Sequence, residues 1–530
     1  MIAAAVIGGL LPLQPGMARA AAVPLVAEHA QVLINLQGGL PGRWESCART
    51  CREDDAPRTL LGPMVGQPHL AWEVAGDPAA GQELDNLEYT AETSRVNGQA
   101  TVILSSRTPF HGMQLIHRYR LEQDGRLLAA SLQVPPGARL RLVGGPELAG
   151  TPLDGLASVY TRVRAVTIDA DGQSAVATDD GKAGTASAVL PAGTWAGIRG
   201  RFWTVLLQSS SGLQLSTSGS GNAAAGESVS LALGRDGGPE GGPGSSSGGG
   251  TGGARGTLVD WRIYGGPIAA PELEKAAPEL GGMLYAGLWD WLRLLATGMR
   301  HLLDFLQGFV GNWGVAIMLL SLSVKILMWP LTWIAERWQA DVNRQRSLLA
   351  PELAVVKREL KGEAAHNRTL EIYRQHGVSP LYTLKSLGGF LVQIPVFIAA
   401  FDMLGEHFAL SGARFLWVPD LALPDAVMAL PFAIPGLGGS LNLLPVLMAL
   451  LTVTAARLQE DPSLAPELRG GQRLRLYGMA LLFFVLLYTF PAGMVLYWTT
   501  NNLLHVLKIL AGRLITGRRG GDARPARAAG

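Results

Sequence analysis

The chain has 530 residues, of which 48% are apolar and only 16% are charged. Its 44 Lys and Arg residues nearly balance its 42 Asp and Glu residues, so the formal net charge is +2 at pH 7. This balance argues against a nucleic-acid-binding protein, because such proteins carry a large, clustered positive charge. The length predicts more than one domain, and the apolar residues concentrate in the C-terminal half of the sequence.

The N-terminal sequence MIAAAVIGGLLPLQPGMARAA combines a short apolar stretch with an A-x-A pattern at Ala18 to Ala20. We interpret residues 1–24 as a signal peptide or a poorly formed membrane anchor, because the stretch is short, contains proline and lacks a basic start. Either would export the next segment of the chain. In an oxidising compartment, the two cysteines, Cys47 and Cys51, form a local disulfide or remain inert thiols; their spacing is weak evidence for zinc.

Residues 25–268 have the pattern of an all-β sandwich. Short alternating runs such as ATVILSS are separated by Gly, Pro, Asn and Asp, and Asp124–Gly125 predicts a hairpin turn. The Gly/Ser-rich segment 234–256 cannot form a core and predicts a flexible loop. No metal cluster, nucleophile elbow or phosphate loop is present in this sequence, so we interpret His111 and His117 as surface or core residues.

The rest of the chain has the pattern of a membrane region. Within residues 269–310, Leu and Trp recur at helical spacing with charged residues between them, which predicts an amphipathic interfacial helix rather than a soluble core helix. A membrane core is predicted over residues 311–511. Its five apolar segments are 313–333, 384–408, 426–457 (with a helix starting near 441), 476–490 and 493–511.

Basic residues divide the connecting segments into two classes. Segments 334–383 and 458–475 and the tail 512–530 are rich in Arg and Lys, whereas 409–440 contains only Arg414 as a basic residue. The positive-inside rule therefore places the basic segments in the cytoplasm. The β domain is then expected in the periplasm of a bacterium with two membranes.

The first basic segment contains a predicted helical hairpin, residues 337–377. Apolar residues follow heptad-like spacing along its first helix, which ends before Gly362. They are Leu349, Leu353, Val356 and Leu360. The hairpin is either a solvated spacer or a docking arm for a ribosome, a targeting factor or an incoming chain.

Lys325 is the most unusual residue of the apolar segments. A charge in a bilayer core costs roughly 2.5–3.5 kcal/mol on insertion scales. At about 1.5 Å per residue, Lys325 is expected roughly 18 Å from Trp313, at or just inside the midplane. Asp402 and Glu406 fall near the opposite end of their own segment, so no counter-ion is evident. The alternative is a lysine that extends to the cytoplasmic interface.

Prolines and polar residues recur in the same segments. Pro330, Pro395, Pro445 and Pro491 are each expected to kink a helix. The polar residues would line a wet cavity together with Lys325, or form interhelical hydrogen bonds worth about 0.6 kcal/mol each. They are Ser321, Ser323, Gln393, Thr499, Asn501 and Asn502.

Four segments, in this order, resemble motifs of the YidC/Oxa/Alb family of membrane protein insertases, and of its bacterial form with a large periplasmic domain. They are GNWGVAIMLLSLSVKILMWPLT (311–332), LGGFLVQIPVFIAAF (387–401), LNLLPVLMALLT (441–452) and FPAGMVLYWTTNNLL (490–504). VLINLQGG and WRIYGGP are similar to the family's first and last strand regions. The resemblance implies a five-helix core with a cytoplasmic hairpin, joined to a periplasmic β sandwich, in the bacterial inner membrane.

The resemblance also implies a hydrophilic groove that is open to cytoplasm and lipid and closed toward the periplasm. Its basic residue falls on Lys325, where the family usually has arginine; lysine keeps the charge but loses the bidentate fork. The other groove residues implied are Ser321, Gln393, Tyr497, Trp498 and Asn501. The surface along which a substrate segment would slide into lipid comprises Ile394, Pro395, Phe397, Phe490, Pro491 and Met494.

The function implied is energy-independent insertion and folding of newly made membrane proteins, alone or with the Sec translocon. The implied partners are nascent membrane proteins, the Sec translocon, the lipid bilayer, and a ribosome or targeting factor at the hairpin and basic tail. We expect no enzymatic activity, cofactor, metal or nucleic-acid specificity.

Two functions from other classes compete with insertion. An intramembrane serine protease could use Ser321 and Lys325, which are spaced i and i+4 on one helix face. A transporter could bind its substrate through a lysine, but that architecture predicts inverted repeats, which the sequence does not show.

Overall fold

The computed structural model describes the N-terminal half of the chain with gaps and the C-terminal half almost continuously. The described residues are 22–47, 58–61, 69–74, 76–96, 99–122, 124–144, 148, 151, 153–176, 186–210, 212–219, 229–234, 257–378, 388–458 and 466–521. Most of the predicted leader and the predicted loop 234–256, apart from Gly234, lie outside them. Residues 22–24, which the sequence analysis placed in the leader, belong instead to the first strand.

Eighteen strands form the N-terminal part of the described chain. They are β1 (Ala22–Val26), β2 (Ala30–Asn35), β3 (Pro41–Ser46), β4 (Arg58–Leu61), β5 (Leu70–Val74), β6 (Tyr89–Val96), β7 (Gln99–Ser106), β8 (Ile116–Leu121), β9 (Leu127–Val134), β10 (Ala138–Gly144), β11 (Arg164–Ile168), β12 (Ser174–Val176), β13 (Ala186–Leu190), β14 (Trp195–Arg199), β15 (Trp203–Ser209), β16 (Leu213–Gly219), β17 (Val229–Gly234) and β18 (Thr257–Pro267). In β8, IHRYRL, every second residue is buried, which is the pattern of a strand with one face on a core.

The strands form three sheets. The largest has nine strands in the order β12-β11-β14-β15-β18-β9-β8-β7-β6, and the others have the orders β13-β16-β17-β10-β5 and β1-β2-β3-β4. Ile198 of β14 and Gly265 of β18 lie on the same face of the large sheet, because both flank Val205 in the register. Ile198 contacts Gly144 of β10, and Gly265 contacts Trp44 of β3. The predicted β domain is therefore confirmed, with its second layer divided between two sheets.

The opposite face of the large sheet is covered by short helices. Leu273 and Leu280 pack there against Trp195, Leu206 and other buried side chains of the sheet. These helices connect the sheet to the helical half of the chain.

Ten α-helices complete the described fold, together with 3-10 helices at Gly155–Thr161, Pro278–Met283 and Phe408–Leu410 and a hairpin of strands β19 (Met428–Ile434) and β20 (Gly438–Leu441). The helices are α1 (Pro78–Asn86), α2 (Ala270–Ala276), α3 (Asp290–Val310), α4 (Trp313–Leu327), α5 (Trp329–Glu359), α6 (Gly362–Gln375), α7 (Gly388–Glu406), α8 (Leu443–Leu458), α9 (Pro466–Leu487) and α10 (Ala492–Gly521).

The helices after residue 290 form a bundle and a helical hairpin, whose first helix packs against α7. Helix α10 packs against both α4 and α8, α9 packs against α8, and α3 packs against α4 and α7. The predicted helix of residues 269–310 is represented by α3, which buries Leu292 and Met299 and leaves Trp291 and Phe309 exposed; its amphipathic, interfacial character stays a prediction. Helices α5 and α6 form the predicted hairpin.

The seam of that hairpin agrees with the heptad-like spacing. Leu349 and Val356 are buried with Ile372 of α6, and Leu353 and Leu360 pack against them.

The predicted span 313–333 is wrong in its extent. Helix α4 ends at Leu327, and the chain turns by 60° before α5. Pro330 lies in the first turn of α5, where its missing N–H costs nothing, so it begins a helix instead of kinking one. Pro445 and Pro491 also lie at helix starts, and only Pro395 of the four is inside a helix.

Among the described residues, no single helix is both long and apolar enough to cross a bilayer. Helix α4 and residues Trp329–Val356 meet that criterion only together, across their bend, and by length and composition alone. Helix α8 is apolar but shorter, and it begins at Leu443, close to the expected position near 441.

Two arginines at the β14–β15 turn join the β domain to the end of α7. Arg201 Nε donates to the carbonyl oxygen of Gly405 at 2.9 Å, and its Nη1 donates to that of Ala422 at 2.7 Å. Arg199 pairs with the carboxylate of Glu406 at 2.8 Å. Because Gly405 and Glu406 end α7, both guanidinium groups lie where the free carbonyls and the dipole of the helix favour a cation.

Several smaller expectations are settled in the β domain. His111 is exposed, whereas His117 is fully buried with its Nδ1 3.4 Å from the carbonyl oxygen of Gly39. Cys47 is disulfide-bonded, and Cys51 lies outside the described residues. A disulfide is the outcome expected in an oxidising compartment.

We predict that Arg201→Ala separates the β domain from the bundle. The substitution leaves two buried carbonyl oxygens without a donor, which should lower the free energy of unfolding by roughly 2–4 kcal/mol. Limited proteolysis of the purified chain should then release the β domain faster than in the wild type. Arg118→Ala, at an exposed position of β8, is the control, and equal cleavage rates for the two variants would contradict the prediction.

We also predict that the β domain loses stability in mild acid. Burial lowers the pKa of His117 to about 4, whereas an unfolded histidine titrates near about 6.5. Only the unfolded state therefore binds this proton between these values, and stability should fall by about 1.4 kcal/mol per pH unit as the pH decreases through that range. Urea denaturation from neutral to acid pH measures the slope. His117→Gln should flatten it and His111→Gln should not; the same slope in all three proteins would exclude this cause.

Candidate functional site

Helices α4 and α10 bring together most of the polar groups that the sequence assigned to the groove. Ser321 Oγ donates to the carbonyl oxygen of Tyr497 at 3.3 Å. One turn further on, Lys325 Nζ donates to the carbonyl oxygen of Asn501 at 2.9 Å and to its Oδ1 at 3.0 Å. Within each pair, the two residues are 176 positions apart in the sequence. The constant offset shows that the two helices run parallel and in contact.

The charge of Lys325 has no ion-pair partner within the described chain. The nearby carboxylate of Glu336 pairs with Lys508 instead, at 2.6 Å. Asn501 is neutral, and an ammonium group has three donors, of which Asn501 uses two. The Lys325 side chain is half-buried, so a positive charge stays partly open at the contact between α4 and α10.

The position of Lys325 along its helix differs from expectation. The expected depth assumed a helix that continues to residue 333, but α4 ends at Leu327 and Lys325 lies in its last turn. The cation therefore sits beside the bend between α4 and α5 rather than in the middle of a straight helix.

The remaining polar residues behave in different ways. Thr499 Oγ1 donates to the carbonyl oxygen of Val495 in its own helix at 2.7 Å, and Asn502 Nδ2 donates to Thr452 Oγ1 of α8 at 2.8 Å. Thr499 and Asn502 therefore form ordinary hydrogen bonds within the bundle, which was the alternative to a wet cavity. Gln393 is half-buried on α7, and no hydrogen bond among the described contacts joins it to Lys325.

Trp498 belongs to a cluster of aromatic rings rather than to the polar contact. Its ring stacks on Phe483 of α9 with centroids 4.8 Å apart and meets Phe397 of α7 edge-on at 4.8 Å. Phe401 lies 6.2 Å from it, and Phe490 lies 6.3 Å from Phe401. We call these five residues the aromatic cluster. Edge-on and stacked rings at such distances attract each other by about 0.5–1.5 kcal/mol beyond their burial.

The sequence analysis missed Phe483. The available signal was the double phenylalanine of LLFFVLLY, in the predicted span 476–490, where only Phe490 was named as a site residue. Only the packing of α9 against the other helices shows which of the two rings points inward.

The predicted slide residues divide by burial. Ile394, Pro395, Phe397 and Phe490 are half-buried, whereas Pro491 and Met494 are buried in the bundle. The first four therefore present surface, and the last two support it from beneath.

A cavity of about 250 Å³ adjoins the aromatic cluster between α7 and α9. Phe397, Phe401, Asp402 and Phe490 line it, together with Tyr160 of the β domain. The apolar surface thus continues from the bundle to its contact with the β domain.

Comparison with known proteins bears on this part of the chain. Residues 305–514 match the family model described as 60Kd inner membrane protein. The matched range contains Lys325, Asn501 and the whole aromatic cluster. Through this region the chain is similar to that family of inner membrane proteins.

Curated relatives carry the family's function in their names. The membrane protein insertase YidC of Syntrophobacter fumaroxidans is 33% identical over 251 residues, which are 46% of this chain and 42% of that protein. The insertase of the same name from Helicobacter pylori strain 26695 is 34% identical over 253 residues, 47% of this chain and 41% of that protein. The chain thus spans less than half the length of these relatives.

A solved structure of an active YidC insertase with its first transmembrane domain resolved covers 93% of each chain at 15% identity. Its TM-score is 0.34, a value too low to support any argument about the fold. The likeness to inner membrane insertases therefore rests on the sequence matches.

We predict that Lys325→Met leaves the protein at least as stable as the wild type. The substitution removes two hydrogen bonds, but it also removes the desolvation cost of a half-buried charge, and apolar replacements of buried ions are often neutral or stabilising. Thermal unfolding in lipid nanodiscs measures the effect. Lys508→Met is the control, because its exposed ion pair is worth about 0–1 kcal/mol. A marked loss of stability in Lys325→Met alone would make Lys325 a structural residue.

Proposed function

We propose that this protein inserts newly made proteins into the bacterial inner membrane, and that Lys325 attracts the hydrophilic end of the substrate. The observation that carries the proposal is a half-buried ammonium group between α4 and α10 with a neutral partner, Asn501. A structural cation in such a place would be expected to have a carboxylate beside it. A cation whose charge is left uncompensated is instead suited to a transient anionic ligand.

The electrostatic step depends on this arrangement. A substrate tail that enters the bilayer region loses water, which is costly for its polar groups unless hydrogen bonds replace those to water. The free donor of Lys325 and the polar backbone contacts around it reduce that cost, most strongly for Asp and Glu in the tail.

The apolar step uses the aromatic cluster and the four half-buried slide residues. The hydrophobic segment of the substrate would pass along α7 and α9 into the lipid. Transfer of its apolar surface out of water contributes roughly 25 cal/mol per Å², so the process needs no chemical energy source.

The proposed orientation places the β domain in the periplasm and the α5–α6 hairpin and the C-terminal tail in the cytoplasm. It is supported by the distribution of Arg and Lys among the connecting segments. In this orientation the core has five membrane-crossing elements, and Lys325 lies toward the cytoplasmic side. The hairpin and tail would meet a ribosome or targeting factor, and the core would act alone or beside the Sec translocon.

The geometry does not favour a Ser–Lys protease. The Ser321 hydroxyl donates to the Tyr497 carbonyl and is only 2% exposed, and Lys325 Nζ donates to Asn501 rather than to Ser321. A lysine general base would have to accept a hydrogen bond from the serine.

The proposal predicts a charge-dependent series at position 325. In a strain depleted of its own insertase, Lys325→Arg should retain insertion, because it keeps the charge and can hold a carboxylate through two bonds. Lys325→Ala should reduce insertion and Lys325→Glu should abolish it for substrates with acidic tails. Protease protection of a reporter substrate gives the inserted fraction. Full rescue by the glutamate variant would exclude attraction by charge.

A second series separates the charge from the helix contact. Asn501→Asp keeps an acceptor for Lys325 but adds a carboxylate, so the contact should persist while insertion of acidic tails falls. Asn501→Ser keeps a neutral acceptor and is the matched control. Crosslinking of a photoreactive group at position 321 to the substrate tail measures entry directly. If the aspartate and serine variants crosslink equally, the open positive charge is not what draws the tail in.

A further inference from the structure

The segment before α8 is unusual because it is uncharged and also exposed. From Ala426 to Ala456 the chain contains no Asp, Glu, Lys, Arg or His. The first part of this stretch is not helical but forms the β19–β20 hairpin, MALPFAI and GGSL, joined by a tight turn in which Gly436 and Gly438 have φ of +80°.

Large apolar side chains of this hairpin lie open in the fold. Phe432 is 67% exposed, Met428 55% and Val427 50%. Exposed apolar residues in such density normally mark a surface that is covered by something else.

The distribution of these residues over the hairpin identifies what covers it. Successive residues of a strand point to opposite faces, and β19 has no polar side chain on either face. A protein partner would cover one face and leave a polar one toward water, as in most interfaces. A strand such as β19, which is apolar on both faces, fits immersion in an apolar medium.

The ends of the hairpin fix its level in the bundle. Val427 N donates to Leu441 O at 2.9 Å, and Asn442 Nδ2 donates to the Tyr488 carbonyl oxygen at 2.7 Å. Asp425 accepts hydrogen bonds from the backbone N–H groups of Leu443 and Leu444 at the start of α8. The hairpin therefore leaves the bundle where α8 begins and α9 ends. Its turn lies against the β domain, where Gly436 is next to Gly155 and Gly438 is next to the Asp154 carboxylate, so only the two strands are open to lipid.

The backbone of the hairpin limits how deep it can lie in the bilayer. A two-stranded hairpin has two open edges whose N–H and C=O groups need water or lipid headgroups as partners, so it cannot lie in the hydrocarbon centre. The exposed Trp417, whose Nε1 donates to the Asp425 carboxylate at the base of the hairpin at 3.2 Å, is typical of the membrane interface.

We propose that the β19–β20 hairpin is embedded in the outer leaflet of the bilayer, at the boundary between headgroups and acyl chains. Its occupant is lipid, and the hairpin displaces headgroups beside α8 and α9. The choice of leaflet rests on the orientation proposed above, whereas the embedding itself does not depend on whether the protein inserts substrates.

The test uses a fluorophore attached to Phe432→Cys in nanodiscs that contain spin-labelled phospholipids. The native Cys47 is disulfide-bonded and does not compete for the label. We expect strong quenching by a spin label near the carboxyl end of the acyl chain, weaker quenching by one near the methyl end, and severalfold protection from aqueous iodide. Val189→Cys on β13, with 67% exposure, is the matched control and should show iodide quenching only.

A second site decides between lipid and a one-sided protein partner. Ala433→Cys places the fluorophore on the opposite face of β19, and embedding predicts lipid quenching there as well. Three results would overturn the proposal. They are iodide access at Phe432→Cys equal to that at Val189→Cys, lipid quenching at only one of the two faces, and protection that appears only as the protein concentration rises, which would indicate a second copy.

Discussion

A charge that is removed from water must find a partner, and in this bundle the partner of Lys325 is a neutral amide. The two hydrogen bonds to Asn501 are enough to hold the ammonium group in place, but they leave its charge uncompensated. Everything else about the proposed site depends on this condition. The parallel packing of α4 and α10 supplies the acceptor, and the pairing of Glu336 with Lys508 keeps the nearest carboxylate away.

The part of the fold that the sequence predicts is the part governed by periodicity and composition. Alternation identified the strands, helical spacing identified α3 and the α5–α6 seam, and the family motifs identified the residues of α4 and α10. The bend at Met328 was missed because apolar composition continues through it, while Pro330 was compatible with either a kink or a helix start. The partner of Lys325 could not be derived, because parallel packing between segments 176 residues apart leaves no local signal.

At the junction between the β domain and the bundle, in contrast, the positive charges have partners. At the end of α7, Arg201 donates to the free carbonyl oxygen of Gly405 and Arg199 pairs with the Glu406 carboxylate, so the two side chains together attach the β domain to the helix. The sequence gives no signal for such a contact, because each arginine has the pattern of an ordinary residue in a β turn. The cavity beside the aromatic cluster also reaches this junction, because Tyr160 of the β domain lines it.

The separation of 176 residues between Lys325 and Asn501 has a consequence for biosynthesis. Chains are made from the N-terminus, so α4 leaves the ribosome long before α10 exists. During that interval Lys325 has no acceptor from α10, and the free-energy cost of desolvating its ammonium group is not offset by those hydrogen bonds. The site can therefore be completed only when α10 has been made.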